Sequence, residues 1–278
     1  MPSAVDGPPL PPGLARVLAQ MPRLALAFSG GLDSRFLCHA ALLCGCDVLA
    51  VHVRGPHIPL RESTEAQIWA EQRGIPLRVL HYDPLAFPEV AHTGKLRCYA
   101  CKKGLIALVR KQLETEPGRV LCDGTNADDM QAYRPGLRAL SEAGVRSPLA
   151  EAGLTKAAVR TAARACGLDR PEQRARPCLL TRYAYGLTPD GLTLQKLDNA
   201  EAALEALATE TGIPLGDFRL RLTPAPLLQA QHLPQKLHAA IRDILGQYGF
   251  PHCTLVETRT ISGFFDADAT PADGAPSS

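Results

Sequence analysis

The segment Ser29 to Ser34 brings together side chains that could bind a phosphate and a metal ion. It reads Ser-Gly-Gly-Leu-Asp-Ser, between an apolar run from Leu24 to Phe28 and an apolar helical pattern. Two glycines at a strand-to-helix turn let backbone N–H groups converge, and the following helix adds a partial positive charge at its start. The serines supply hydroxyl groups, and Asp33 supplies an oxygen ligand suited to Mg²⁺. The segment therefore predicts a phosphate cradle distinct from a Walker A loop; a plain connecting turn is the alternative.

A second segment could supply a nucleophile. Cys178 lies between Arg176 and Arg182 in a stretch that contains a proline. A thiolate is the nucleophilic form of cysteine, and a neighbouring guanidinium would lower the thiol pKa. The alternative is a cysteine that only packs in an apolar core. We expect a reactive thiol at Cys178.

The elements that position these residues alternate between strand and helix. The predicted strands are Leu24–Phe28, Val48–Val53, Leu77–Leu80 and Val120–Cys122, and the predicted helices are Ser34–Cys44, Arg61–Arg73, Tyr99–Leu113 and Lys156–Cys166. Short apolar strands separated by helices predict an α/β fold with a doubly wound parallel sheet. Ligands of such sheets lie at the carboxyl ends of the strands, where both Ser29–Ser34 and Asp123–Asn126 fall.

The pattern changes after Gly186 and predicts a second, smaller α/β lobe. It has a long helix at Leu194–Thr211, a strand at Phe218–Leu222, a helix near Pro234–Tyr248 and a strand at Cys253–Glu257. The alternation within Phe218–Leu222 puts Arg219 and Arg221 on one strand face. A solvated sheet face and an anion-binding face fit this pattern equally well.

The composition of the chain limits the partners and the cellular environment that can be expected for it. The chain has 278 residues, 46% of them hydrophobic, with a net charge of +2 that gives no reason to expect nucleic acid as a partner. Its apolar runs fall short of the roughly 18 residues that a membrane span needs. The nine cysteines are an odd count, which favours the reducing cytoplasm over a disulfide framework. The expected organisation is a flexible proline-rich lead-in at 1–22, the sheet domain at 23–186, the smaller lobe at 187–265 and a disordered tail at 266–278.

The string Ser-Gly-Gly-x-Asp-Ser resembles the PP-loop of the ATP pyrophosphatase superfamily, whose fold is of the adenine nucleotide alpha hydrolase-like type. Other segments narrow the resemblance: Gly124-Thr125-Asn126, Arg134-Pro135-Gly136, the Arg-Ser-Pro-Leu-Ala-Glu run at 146–151, and Pro-Cys-Leu-x-x-Arg-x-x-Tyr-Gly at 177–186. Together they are similar to the ATP-dependent sacrificial sulfur transferases of the LarE type, from about Leu24 to Gly186.

The resemblance implies a reaction in nickel-pincer nucleotide biosynthesis, which serves lactate racemase maturation. Such an enzyme uses ATP and Mg²⁺ to adenylate a carboxylate of a pyridinium carboxylic acid mononucleotide, and releases pyrophosphate. It then replaces the activated oxygen with sulfur from its own cysteine, which is left as dehydroalanine. Cys178 matches that cysteine. Because Cys178 stands alone in its segment, no stable iron–sulfur cluster is expected.

The resemblance also implies roles for individual residues. ATP binding is implied for Ser29, Gly30, Gly31, Asp33, Ser34, Gly124, Thr125, Asn126 and Asp128, with Asp33 holding Mg²⁺. Cys178, Asp33, Arg182 and Glu201 are implied as catalytic, and Arg134, Arg176, Arg219 and Arg221 as substrate-binding. The smaller lobe would bind substrate and support a homo-oligomer. The chain departs from the family at Leu222-Thr223-Pro224, where relatives usually carry histidine.

Other functions stay open at this point. A tRNA thiolase shares the PP-loop but would need a basic surface or an RNA-binding domain. An amide-forming ligase would need an ammonia source, and a protein that binds ATP without turnover would not need Cys178. Cys98 and Cys101 form a C-x-x-C pair without a second pair to complete a zinc site, so packing and redox roles are both possible.

Overall fold

A computed structural model of the protein describes residues 10–92, 94–131, 135–174, 176–223, 225–261 and 263–265. The chain forms two compact units, one reaching to Cys178 without residues 92–95, and one comprising residues 92–95 and everything from Leu179 onward. Within the described ranges, none of the helices has both the length and the apolar character that a membrane crossing requires.

The first unit is built on a four-stranded, all-parallel sheet in the order β3-β2-β1-β4. Its strands are β1 (Arg23–Ala27), β2 (Asp47–Arg54), β3 (Leu77–His81) and β4 (Val120–Cys122). Its helices are α1 (Pro12–Leu18), α2 (Leu32–Leu43), α3 (Leu60–Glu71), α4 (Pro88–Ala91), α5 (Arg97–Leu113), α6 (Pro135–Glu142), α7 (Pro148–Glu151) and α8 (Lys156–Ala165), with short 3₁₀ helices at Pro84–Ala86 and Asp129–Gln131. The predicted parallel α/β fold is confirmed.

Both faces of this sheet are covered by helices. Leu24 and Leu26 of β1 belong to a buried cluster that also contains Phe36 of α2 and Trp69 of α3. The intervening Ala25 belongs to a second buried cluster, with side chains of β2, α5 and α6. Because successive strand residues point to opposite faces, this alternation is what a doubly wound sheet requires.

The position of β1 explains where a ligand would lie. β1 pairs with β2 on one side and with β4 on the other, so the strand order reverses at this point. The loops that leave β1 and β4 therefore diverge at the carboxyl edge of the sheet. A crevice at such a switch point is the usual ligand site of open α/β sheets.

The prediction of a flexible lead-in over residues 1–22 is wrong from Pro12 onward. Pro12–Leu18 form α1, and Leu14, Leu18 and Met21 are fully buried in the core. Proline at the first position of a helix sacrifices no hydrogen bond, so a proline-rich start is compatible with a helix. Residues 1–9 and the predicted tail at 266–278 lie outside the described residues.

The second unit contains a three-stranded sheet in the order β5-β6-β7. Its elements are α9 (Gly191–Thr211), β5 (Phe218–Leu222), β6 (Pro226–Ala230), α10 (His238–Gln247) and β7 (Thr254–Glu257), with 3₁₀ helices at Leu179–Arg182 and Gln235–Leu237. β6 runs antiparallel to β5 and parallel to β7. The smaller α/β lobe is confirmed, but the predicted series of helix, strand, helix and strand omitted β6. That strand begins with proline and lacks β-branched and aromatic residues, so its sequence gives a weak strand signal.

Candidate functional site

The loop between β1 and α2 is held in a tight turn by its own polar groups. Ser29 Oγ lies 3.1 Å from Ser34 Oγ and accepts a hydrogen bond from Gly31 N–H at 3.3 Å. The Ser34 hydroxyl donates to Gly31 O at 3.0 Å. Gly30 has a φ of +77°, a conformation that favours glycine. The predicted strand–loop–helix arrangement is thus present, with the loop at the sheet's carboxyl edge.

Two glycines allow other backbone segments to approach this loop closely. A Cβ added at Gly30 would lie 2.6 Å from Ala66 Cβ on α3. A Cβ added at Gly124 would lie 3.0 Å from the Ser34 nitrogen and 3.3 Å from Ser34 Cα. The segment after β4 therefore packs directly on the start of α2, and a side chain at Gly124 would crowd the backbone there.

Asp33 pairs with a lysine that the sequence analysis did not select. Lys156 Nζ, from the first residue of α8, lies 2.6 Å from Asp33 Oδ2. Asp33 Oδ1 is buried and has no hydrogen-bond partner among the described residues. A buried carboxylate oxygen without a donor fits a hard cation such as Mg²⁺, so the residues present fit the expected metal. A lysine at a helix start opposes the helix dipole, and this was the signal that could have drawn attention to Lys156.

Asp123, which the sequence analysis did not name as a site residue, organises the loop after β4. Its Oδ1 accepts from the Ser147 hydroxyl at 2.6 Å and from Thr125 N–H at 3.2 Å. Its Oδ2 accepts from the Thr125 hydroxyl at 2.6 Å. Asp123 and Thr125 are both buried. The hydrogen bond from the Thr125 hydroxyl to Asp123 therefore stabilises the conformation of the loop. The backbone and the methyl group of Thr125 are left to contact a ligand.

The neighbouring predicted residues Asn126 and Asp128 also make structural hydrogen bonds. The buried Asn126 accepts from the backbone N–H groups of Asp128 and Asp129 at 3.0 and 3.2 Å. Asp128 Oδ2 accepts from Lys156 N–H at 2.8 Å. The cavity beside the loop is lined by Asp129 and not by Asp128. ATP binding by Asn126 and Asp128 stays a prediction, and the acidic residues of the segment after β4 that line the cavity are Asp123 and Asp129.

A cavity of about 440 Å³ lies at the carboxyl edge of the sheet within the first unit. One part of its wall is the loop between β1 and α2 with the segment after β4, and includes Ser29, Gly31, Asp33, Ser34, Gly124 and Thr125. Another part is apolar and includes Val51, Val53, Ile106, Leu121 and Leu140. Arg176 and the partly exposed Cys178 also line it. The structure therefore brings the predicted nucleophile and the predicted phosphate cradle to one cavity.

Arg176 and Cys101 are close to Cys178 and have charged or thiol neighbours of their own. Arg176 forms ion pairs with Glu62 and Glu65 of α3, each at 3.7 Å. Burial, followed by the neighbouring thiols of Cys178 and Cys98, raises the pKa of Cys101 to about 12. Cys101 is therefore a neutral thiol near neutral pH, within electrostatic reach of both other cysteines. Cys98 is exposed.

A buried histidine, which the sequence analysis also did not select, contacts the residue that precedes the Ser29–Ser34 loop. His52 of β2 lies with Nδ1 2.8 Å from Phe28 O and Nε2 3.0 Å from Ser63 Oγ on α3. Burial lowers the pKa of His52, so the ring is neutral, and it can donate to one partner while accepting from the other. The residue that precedes Ser29 is thereby tied to α3. In the sequence, a histidine within an otherwise apolar strand was the signal that could have pointed to His52.

In the second unit, Arg182 and Glu201 form a buried ion pair. Arg182 Nε and Nη2 lie 2.9 and 2.6 Å from the two carboxylate oxygens of Glu201. Their side chains are 3% and 12% exposed. Glu201 also accepts from Leu220 N–H at 2.9 Å. The carboxylate offsets the charge of Arg182, and catalytic roles for both residues stay predictions.

The predicted phosphate-binding arginines differ in their surroundings. Arg221 is buried, donates to Gln229 Oε1 at 3.0 Å and Thr181 O at 2.9 Å, and also bonds Ile261 O. Arg219 is partly exposed and donates to Phe218 O at 2.6 Å. Arg221 therefore anchors this sheet, and its substitution would test folding as well as binding. Substrate binding by either stays a prediction, and Arg134 lies outside the described residues.

The fold and the site define a parallel α/β protein with a glycine-containing loop and a cysteine at the carboxyl edge of its sheet. No protein-family model matches the chain. It is 30% identical over 200 residues to the pyridinium-3,5-bisthiocarboxylic acid mononucleotide synthase of Lactiplantibacillus plantarum, covering 71% of this chain and 72% of that one. It is 29% identical over 251 residues to an uncharacterized protein of Synechocystis sp., covering 87% and 91% of the two chains. It is 31% identical over 185 residues to an uncharacterized protein of Methanocaldococcus jannaschii, covering 66% and 69%.

These matches confirm the resemblance seen in the sequence. The chain belongs to the LarE-type family, which includes the synthase of Lactiplantibacillus plantarum.

Proposed function

We propose that the protein is an ATP-dependent sulfur transferase that converts a carboxylate of a pyridinium carboxylic acid mononucleotide into a thiocarboxylate. The observation that carries this proposal is that Cys178 and the Ser29–Ser34 loop line the same cavity. The name of the related synthase, which specifies a bisthiocarboxylic acid mononucleotide, supports the substrate class.

The first half of the reaction would use the phosphate end of the cavity. The N–H groups of the loop and the ammonium of Lys156 bind the pyrophosphate portion of ATP. Asp33, through its buried Oδ1, would hold Mg²⁺, which when bound supplies charge compensation for the phosphates. The substrate carboxylate attacks the α-phosphorus, an acyl adenylate forms, and pyrophosphate leaves.

The second half of the reaction would use Cys178. Its thiolate attacks the activated carbonyl carbon, AMP leaves with the bonding electrons, and a thioester to the protein remains. Removal of the proton on Cα of Cys178 then breaks the Cβ–S bond, and the thiocarboxylate departs with the sulfur. Position 178 is left as dehydroalanine, so the protein has lost the elements of H₂S.

The neutral thiol of Cys101 is poorly suited to replace Cys178 as nucleophile, because the thiolate is the reactive form. Cys98 and Cys101 would then be dispensable for the first turnover. A persulfide or an iron–sulfur cluster as sulfur source remains the competing account, since the Cys101 thiol lies within electrostatic reach of both Cys178 and Cys98.

The products of ATP turnover test the proposal. With substrate present, ATP should yield AMP and pyrophosphate, and Asp33→Asn should lose the Mg²⁺-dependent part of the rate. Cys178→Ala should still release pyrophosphate but form no thiocarboxylate, whereas the matched Cys98→Ala and Cys101→Ala variants should complete one turnover. Formation of ADP and phosphate, or normal thiocarboxylate formation by Cys178→Ala, would contradict the proposal.

A further inference from the structure

His57 is a buried side chain on the wall of the cavity that the reaction outlined above does not use. It lies in the loop between β2 and α3 and is 4% exposed. Its Nδ1 is buried and makes no hydrogen bond to any described residue. An unpartnered lone pair costs less at such a buried position than an unpartnered N–H would, so the surroundings of Nδ1 bear on which ring nitrogen carries the proton.

The packing of the ring indicates which nitrogen can meet a ligand. A Cβ placed on Gly55 would lie 3.0 Å from His57 Nδ1 and 3.1 Å from Cε1, so this edge of the ring rests against Gly55. The Tyr82 ring meets His57 edge-on, with the centroids 6.2 Å apart. Nε2 is the ring nitrogen that is not among the buried unpartnered atoms, so it is the one left to meet a ligand in the cavity.

The protonation state follows from the same packing. Burial lowers the pKa of His57 to about 4, against an opposing effect of Asp83, so the ring is neutral near neutral pH. A proton on Nδ1 would bury an N–H without an acceptor, which costs more than leaving a lone pair there. The proton therefore resides on Nε2, which becomes a neutral donor.

We propose that His57 donates a hydrogen bond from Nε2 to a ring nitrogen of the adenine base and so contributes to nucleotide specificity. A neutral donor fits an aromatic base better than a phosphate, which favours charged partners. The cavity wall beside His57 also carries Ile58 and the apolar side chains of Val51 and Val53, which suit a flat ring. This inference rests on the proposed function, because it takes ATP to be the ligand of the cavity.

Calorimetric titration with ATP and with inorganic pyrophosphate tests the assignment. His57→Phe should weaken ATP binding about three- to tenfold, the value of one neutral hydrogen bond, and should leave pyrophosphate binding within about twofold. His57→Gln should recover most of the ATP affinity, because its amide can present an N–H near the position of Nε2. The exposed His81 at the end of β3 provides the matched control, and His81→Phe should bind both ligands as the parent does.

Deaza analogues of ATP identify the base atom. The analogue that lacks the recognised ring nitrogen should bind the parent more weakly than ATP does and should lose nothing further in His57→Phe. Unchanged ATP affinity in His57→Phe would overturn the base contact, as would an equal loss of pyrophosphate affinity. A parent protein that binds pyrophosphate but shows no preference for ATP over it would also overturn the contact, while failure to bind either ligand would overturn the proposed function itself.

Discussion

Replacing Glu201 with glutamine is expected to destabilise the second unit by about 3–5 kcal/mol of unfolding free energy, because a buried guanidinium loses its counter-charge. Arg182 is 3% exposed, and both of its hydrogen bonds to Glu201, at 2.9 and 2.6 Å, depend on the carboxylate. Glutamine keeps one acceptor oxygen, which can still serve Leu220 N–H, but it brings an NH₂ group against the guanidinium.

The loss should appear in differential scanning calorimetry as a lower melting transition, by roughly 6–20 °C at about 2–4 °C per kcal/mol. Glu210→Gln is the matched control, since Glu210 is exposed on the same helix and should change stability by less than about 0.5 kcal/mol. The double variant Arg182→Met with Glu201→Leu should recover much of the loss, because it removes both charges of the ion pair from this buried position. A Glu201→Gln protein that melts within about 1 °C of the parent would refute this reasoning.

Three further results are expected. Gly124→Ala sets a methyl group 3.0 Å from the Ser34 nitrogen and should weaken ATP binding roughly tenfold, whereas Gly191→Ala, with no neighbouring atom within 4 Å, should not; equal dissociation constants would contradict this. His57 has a pKa of about 4 in the folded protein against a reference of 6.5, so the unfolded chain takes up this proton first as the pH falls, and up to about 3 kcal/mol of stability is lost between those values. Urea unfolding of His57→Phe at both ends of that range should show a smaller loss than the parent. Arg219→Ala should weaken binding of the mononucleotide substrate about ten- to hundredfold and leave ATP binding unchanged, and titrations that show the substrate affinity unchanged would refute the phosphate contact.

The parallel sheet was predictable because its strands are buried on both faces and therefore read as continuous apolar runs. The predicted run Leu24–Phe28 and the observed β1, Arg23–Ala27, differ by one residue at each end. β6 was not predictable in the same way, since Pro226–Ala230 becomes a strand through its pairing with β5 and β7. α1 was missed because prolines obscured a helix whose leucines complete the core.

At the candidate site, short motifs could be predicted from the sequence. Contacts between residues far apart in the sequence could not. The loop can be recognised from six consecutive residues, Ser29 to Ser34. Lys156 meets Asp33 across 123 positions of sequence, and nothing in the neighbourhood of either residue specifies the other. His57 became a candidate only when the structure showed it at the cavity with an unpartnered nitrogen.

The mass of the protein after turnover tests the proposed sulfur donation most directly. The intact protein would be incubated with ATP, Mg²⁺ and an excess of a pyridinium mononucleotide carrying two carboxyl groups, and then analysed by mass spectrometry. Sulfur donation by Cys178 predicts one thiocarboxylate per chain and a loss of about 34 Da, the mass of H₂S, located in the peptide that contains residue 178. Many thiocarboxylates per chain with an unchanged mass would contradict the account and would identify a cluster or an external persulfide as the source.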